Sequence, residues 1–189
     1  MNTQQRAEID RLWARKQHQD AEGLPISQRH RNLQPASAEF LHSLVTGIGA
    51  KKLLEVGGSS GISTIALASA AQQTQGQLIS LEIEPMRQAE SKNTIAALHL
   101  DAFVDFRLGD AATVLPTLTA LEFVLIDCEK EDYIRFFDML QMHPGCIVVA
   151  DNILSHQLTK YVTHVRSLPD VESITLPIGQ GLEITRIAG

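Results

Sequence analysis

Apolar positions along this chain recur with two periods. Short apolar runs over 53–56, 123–126 and 147–150 are bounded by polar or glycine-containing stretches and read as buried strands. Longer segments between them space their apolar residues three and four apart, as on one face of a helix. The first covers 3–19, with Ile9, Leu12 and Trp13 on one side, and Glu22, Gly23, Leu24 and Pro25 interrupt it. A polar loop from Ser27 to Ala36 carries Arg29, His30 and Arg31; it is either a solvated linker or a flap over a ligand site. Pro35 stands near the start of a second helix containing Phe40, Leu41, Leu44, Val45 and Ile48.

From Lys52 onward strands and helices alternate. Strands are predicted over 53–56, 77–81, 103–107, 123–126 and 146–150, each followed by a helix: 62–73, 85–98, 111–121, 133–142 and 157–167. Strands alternating with helices of this length predict βαβ units, a parallel sheet with helices on both faces. The end differs: 172–187 is two extended segments joined at a glycine turn, an antiparallel hairpin. No repeat, low-complexity tract or compositional shift marks a second domain. The expectation is one domain over 1–189, with helices and a cap in 1–50 and a cofactor-binding core in 51–189.

The bulk numbers narrow the class. With 189 residues, 44% apolar and 20% charged, the composition is that of an ordinary globular domain. No apolar run approaches the ~20 residues of a membrane span, and the polar N-terminal segment lacks a signal-peptide core. A net charge of −6 argues against non-specific binding to nucleic acid or anionic membranes. A cytoplasmic enzyme or binding protein is expected. Cys128 follows one strand and Cys146 begins the next, so in parallel neighbours the two sit at opposite ends of the sheet, beyond the ~7 Å Cα limit for a disulfide, and both are expected to be reduced.

The stretch from Leu53 to Ala68 runs from strand through a glycine turn into a helix. A helix start of this kind offers free backbone N–H groups and a positive dipole end to a ligand. Its Glu-x-Gly-x-x-x-Gly differs from the Gly-x-Gly-x-x-Gly of dinucleotide binders. In open α/β sheets ligands bind beyond the carboxyl ends of the strands. Every predicted parallel strand carries a carboxylate there: Glu55, Glu82, Asp110, Asp127 and Asp151, the last followed by Asn152. Singly, Asp110 or Asp151 is as well explained as a helix cap. Together, converging carboxylates repel unless a cation, a ligand or a shared proton relieves them. Glu82 is placed to accept hydrogen bonds from ribose hydroxyls. Asp127, Asp151 and Asn152 offer hard oxygen ligands suited to Mg²⁺ or Ca²⁺ and poor for zinc. Lys130 lies three residues past Asp127, where a nearby cation favours its neutral form and lets it act as a general base.

These segments resemble the class I S-adenosylmethionine-dependent methyltransferases, specifically the cation-dependent O-methyltransferases related to the catechol and caffeoyl-coenzyme A enzymes. The resemblance is carried by 54–64, 79–85, 108–111, 126–133, 144–152 and 176–183, and spans roughly 31–187. Its specific part is Asp-x-x-Lys at Asp127 and Lys130 with Ala-Asp-Asn at 150–152. It implies a Rossmann-like, seven-stranded, mostly parallel sheet whose last strand is antiparallel. It implies S-adenosylmethionine held by Gly57, Gly61 and Ser63 at the methionine portion, Glu82 at the ribose, and Asp110 and Ala111 at the adenine, with Glu55 and Asp127 also on the cofactor side. It implies a divalent cation, Mg²⁺ foremost, on Asp127, Asp151 and Asn152, with Lys130 as base. The acceptor would be a small catechol-like or vicinal-hydroxylated molecule, and the enzyme a homodimer to which residues 1–30 contribute. Glu129 carries no role in it; Ser155 and His156 could line the substrate site or be a helix-start serine and a surface histidine, and Glu183 is a candidate for a late acidic contact to the diol.

Two other classes compete. A non-catalytic or regulatory S-adenosylmethionine-binding protein would need neither Lys130 nor the three oxygen ligands. A nicotinamide oxidoreductase would use Glu82 equally well, but the glycine fingerprint is absent and the terminal hairpin does not suit it.

Overall fold

The computed structural model describes residues 1–25 and 28–188. Ser27, the first residue of the predicted polar loop, lies outside them. Seven strands form one sheet: β1 (Lys52–Val56), β2 (Gln77–Glu82), β3 (Val104–Leu108), β4 (Leu121–Ile126), β5 (Met142–Ala150), β6 (Val171–Leu176) and β7 (Leu182–Ile187). Their order is β3-β2-β1-β4-β5-β7-β6. β7 pairs antiparallel with both β5 and β6, so it alone runs against the other six. The helices are α1 (Thr3–Ala21), α2 (Pro35–Ile48), α3 (Ile62–Thr74), α4 (Pro85–Ala97), α5 (Ala111–Val114), α6 (Tyr133–Met139) and α7 (Thr159–Ser167).

Strand parity divides the core. Leu53, Leu78, Phe123, Leu125 and Val149 face one side of the sheet, where they pack with Leu12 of α1, Leu41 and Val45 of α2, and Ile65 of α3. Their neighbours Leu54, Val56, Val124, Ile126 and Val148 face the other, against Tyr133, Phe136, Tyr161 and Val165 from α6 and α7. Both faces of the central strands are thus covered, as their unbroken apolar runs require. Local signals set the helix ends. Asn2 and Gln5 exchange side-chain-to-backbone hydrogen bonds of 2.9 Å each way, a capping box that starts α1. Pro35 opens α2 and Gly49, at φ 69°, closes it.

Two expected elements differ. The helix predicted over 111–121 stops at Val114 and gives way to a 3-10 turn over Leu115–Thr117. Pro116 cannot supply the backbone N–H that a continuing helix needs, and Leu121 already belongs to β4. The helix predicted over 133–142 ends at Met139, and β5 begins at Met142, four residues before the expected Cys146. Pro144 lies near the start of that strand, on its exposed portion, where a missing donor is tolerated. Cys128 and Cys146 are both free thiols. No helix among the described residues is long and apolar enough to cross a membrane.

Candidate active site

The order of strands reverses between β1 and β4, and the carboxyl ends of both open onto the same edge. Such a switch point leaves a crevice because the following helices go to opposite faces. After β1 the chain turns at Gly57, whose φ of 98° suits a residue without Cβ. The N–H groups of Gly57 and Gly58 both donate to Leu81 O, at 2.9 and 3.2 Å. A Cβ on Gly57 would sit on the backbone carbonyl of Asp127, 2.8 Å from its carbon. The turn therefore brings the tips of β1 and β4 as close as two backbones can come.

The first cavity lies over this turn. Gly57, Glu82, Asp110, Ala111 and Asp127 line it, with Val56, Leu81, Ile83 and Phe136 as apolar walls. Glu82 is fixed by three backbone N–H groups: Ser59 donates to one carboxylate oxygen at 2.8 Å, and Ile83 and Glu84 to the other at 2.9 Å each. Asp110 lines the cavity and also caps α5, accepting from Ala112 N at 2.8 Å. The cap expected of it is therefore present, and it does not keep the residue out of the cavity wall. Three expected cofactor residues lie outside the wall. Glu55 is fully buried under the turn, accepting from Thr64 Oγ1 at 2.5 Å and Ser80 Oγ at 2.6 Å, and burial pushes its carboxyl above the ordinary range. It ties β1, β2 and α3 together beneath the glycine turn. Gly61 backs onto Ser91, and Ser63 is buried in the first turn of α3.

Past the tips of β4 and β5 a second group converges. The Asn152 amide nitrogen donates to Asp127 Oδ1 at 2.9 Å and to Asp151 Oδ2 at 2.8 Å, so one amide bridges two carboxylates. Lys130 Nζ donates to Asp127 Oδ1 at 3.2 Å and to the Tyr133 hydroxyl at 2.7 Å, and that hydroxyl donates to Asp151 O at 3.2 Å. Tyr133 is fixed in turn by an edge-to-face contact with Tyr161, centroids 5.6 Å apart. Burial first, and the nearby Asp127 charge second, raise the pKa of Tyr133 and of Asp151, so both favour their protonated forms. Asp151 Oδ1 is buried with no hydrogen-bond partner among the described residues. Among those residues no three His, Cys, Asp or Glu side chains gather to hold a metal. The candidate set here is two carboxylates and an amide.

A second cavity, of about 460 Å³, opens beside this group and is lined by Asp127, Lys130, Asp151, Asn152, His156 and residues of α1 and the segment after it. Asp127 lines both cavities. So do Arg31 and Glu129, whose side chains form an ion pair between them. The described part of the polar loop is stitched to the glycine turn: Arg31 N donates to Ser59 Oγ at 3.2 Å, and Asn32 Nδ2 to Ser60 Oγ at 2.8 Å. These bonds tie it to the turn rather than leaving it a detached linker. Ser155 Oγ lies 2.9 Å from His156 Nδ1. Glu183 is absent from both walls. Its carboxylate, fully buried, takes Arg166 Nε at 2.8 Å and Ser173 Oγ at 2.7 Å, and the Thr175 hydroxyl as well. Sequence reasoning singled out the charged segment of Arg31 but missed Trp13 and Gln180 as wall residues, for which no local signal exists.

Comparison with known proteins identifies the family. A sequence model described as O-methyltransferase matches residues 24–187. The chain belongs to the O-methyltransferase family. Catechol O-methyltransferase of Niastella koreensis is 32% identical over 130 residues, 65% of this chain; the chain spans only 58% of that protein's length. Caffeoyl-CoA O-methyltransferase 2 of Zea mays is 27% identical over 194 residues, covering 85% of this chain and 73% of that one. Among solved structures, the O-methyltransferase TomG from Streptomyces achromogenes, in complex with S-adenosylmethionine, superposes with a TM-score of 0.80 over 94% of this chain and 89% of that one, at 22% identity. The Bacillus cereus O-methyltransferase in complex with S-adenosylhomocysteine gives 0.79 over 99% and 92%, at 21% identity. At such identities these two likenesses speak for the fold, which is that of the class I methyltransferases. This O-methyltransferase family member thus has the expected sheet, with its antiparallel strand in the expected place.

Proposed function

We propose that this O-methyltransferase family member moves the methyl group of S-adenosylmethionine to a hydroxyl of a small catechol-like or vicinal-hydroxylated acceptor, in a divalent-cation-dependent reaction with Lys130 as base. The observation that carries this is the position of Asp127, which lines the cavity over the glycine turn and the polar cavity beside Lys130. A cofactor in the first and an acceptor in the second would meet there.

The cofactor assignment rests on complementary chemistry. Glu82, held rigid by three N–H groups, offers its carboxylate to the ribose diol. Ile83 and Phe136 give adenine apolar surface, with Asp110 and Ala111 at its edge. The Gly57 turn lets the methionine portion approach backbone closely; Gly61 and Ser63 serve by shaping the turn and the start of α3. Glu55 acts from beneath.

The residues past β4 and β5 also fit a divalent cation. Two carboxylates are drawn together, one buried oxygen of Asp151 has no partner among the described residues, and an amide bridges the pair in the manner of a cation. Asp127, Asp151 and Asn152 would hold the ion, Mg²⁺ by preference for hard oxygen ligands. When bound, it supplies Lewis-acid polarisation of a hydroxyl. Lys130 Nζ takes the proton of the attacking hydroxyl. Tyr133 keeps its own proton and holds Nζ at the acceptor cavity. The acceptor oxygen then forms a bond to the methyl carbon as the carbon–sulfur bond breaks, and the sulfonium leaves as a neutral thioether. No covalent bond to the protein forms. Positioning of the two reactants is the protein's largest contribution.

Lys130→Ala and Asp151→Ala test this assignment. Removal of a general base lowers turnover by about 10²–10⁴-fold, and cofactor affinity, measured by calorimetry, stays within a few-fold in Lys130→Ala. Turnover in Lys130→Ala within threefold of the parent would remove the base assignment. Binding of S-adenosylmethionine without methyl transfer to any diol would favour the non-catalytic alternative.

A further inference from the structure

The acceptor cavity differs from the cofactor cavity in the character of its walls. Trp13 is its only aromatic lining residue among those described, and nearly all the others are polar or charged. Its walls are far more polar than those of the cofactor cavity, and a charged acceptor would find partners there. Three of the cavity's cationic or potentially cationic side chains are already engaged. Arg31 pairs with Glu129, Lys130 with Asp127, and His30 is held by Gln19 through Nδ1 and by Glu90 through Nε2, both at 2.8 Å. Lys16 and Arg29 are different. Both contact a single carboxylate, Asp20: Lys16 Nζ at 2.6 Å on one oxygen and Arg29 Nη1 at 3.3 Å on the other. Two cations thus share one negative charge. Lys16 also stands 5.1 Å above the Trp13 ring, which holds its ammonium at the cavity wall.

Asp20 remains ionised, because the Lys16 hydrogen bond, chief among its contacts, holds its carboxyl below the ordinary range. The surplus is therefore a full positive charge. Arg29 carries it with most of its five donors uncommitted among the described residues, and the guanidinium fork matches a carboxylate or phosphate. The main chain of Arg29 is fixed separately, its carbonyl accepting from Arg87 Nη2 at 3.3 Å.

From this cavity we infer that Lys16 and Arg29 form an anion subsite, so that the natural acceptor carries a carboxylate or phosphate group on the molecule that bears its hydroxyls. The inference rests on the functional reading above for the identity of the second cavity, and names the substrate class that cavity takes.

The test separates the two. Affinities of 3,4-dihydroxybenzoate and 3,4-dihydroxycinnamate, two acids of different reach, are measured by calorimetry against their methyl esters, with Mg²⁺ and S-adenosylhomocysteine present. A phosphonate in place of the carboxylate distinguishes the two anion sources. At least one anion should bind tenfold or more tightly than its ester, a margin expected of a charged hydrogen bond. The preference should fall below threefold in Lys16→Gln/Arg29→Gln and rise in Asp20→Asn, which frees both cations. Equal affinity for all acids and esters, or a preference that survives the double substitution, would overturn the subsite. Methyl transfer to the same compounds is scored in parallel. Preference without transfer leaves the subsite standing and removes the functional reading; transfer without preference does the reverse.

Discussion

Gly57 offers the sharpest test of how the site is held, because substituting it perturbs two strand tips at once. Alanine there must adopt φ 98° and place its Cβ against the Asp127 carbonyl, 2.8 Å from the carbonyl carbon. Gly49 is the matched control. It too has a positive φ, 69°, but nothing lies within 4 Å of the point where a Cβ would stand. Gly49→Ala therefore carries only the left-handed cost, roughly 1 kcal/mol. In Gly57→Ala the obstacle is backbone and cannot rotate away. Relief requires the tip of β1 to shift out of place, giving up the hydrogen bond Asp127 N to Val56 O that joins it to β4 and Gly57 N to Leu81 O that joins it to β2, each 2.9 Å long. At about 1 kcal/mol apiece on top of the same left-handed cost, the total is roughly 3 kcal/mol. Urea unfolding of both variants, compared by midpoint at common slope, measures the difference. Gly57→Ala should lie about 2 kcal/mol below Gly49→Ala and lose cofactor affinity, since Asp127 moves with its carbonyl. A gap under about 0.5 kcal/mol would refute the close approach on which the site depends.

Two further outcomes follow from buried polar groups away from the reaction centre. His42 is 7% exposed, with the Met1 ammonium 3.1 Å from its Nε2, and burial chiefly and that charge secondly lower its pKa to about 4. The unfolded imidazole titrates at about 6.5 and so binds the extra proton first as pH falls. Stability is full above that value and is lost on acidification, by about 2 kcal/mol between roughly pH 7.5 and 5; His42→Gln should flatten this part of a stability–pH curve, and an unchanged slope would contradict it. Glu183→Gln should lower the melting temperature by about 4–8 °C, for about 2 kcal/mol lost from its network, while leaving the KM for a catechol acceptor within threefold. A large KM effect would return Glu183 to the acceptor site.

Much of the fold was legible because strand and tip follow from one pattern. Apolar runs ending in a carboxylate mark both the buried strand and the edge at which ligands gather, and Glu82, Asp110, Asp127 and Asp151 are all found on that edge. Glu55 was not separable from them by residue type, yet its parity was a clue. It shares the face of Leu53, the side on which α3 packs, whereas Leu54 and Val56 face the other. Glu82 is the last residue of its strand, where the pleat no longer dictates direction. The shortened α5 was announced by Pro116, whose effect outweighs the helical spacing of its neighbours. The early start of β5 was concealed by Pro144 and Gly145, residue types depleted in strands. The partition between the cavities had no local signal at all. Arg31 meets Glu129 across 98 residues of sequence, and Asn32 meets Ser60 across 28, distances over which no spacing rule operates.

The most direct measurement is transfer of label from methyl-labelled S-adenosylmethionine to a panel of catechols and hydroxycinnamoyl thioesters by the intact protein, with Mg²⁺ and again with EDTA. The structure leads us to expect labelled ether product that disappears on chelation and returns when Mg²⁺ is restored. Product formed equally well in EDTA would contradict the role given to Asp127, Asp151 and Asn152, and failure to bind S-adenosylmethionine would contradict the site as a whole.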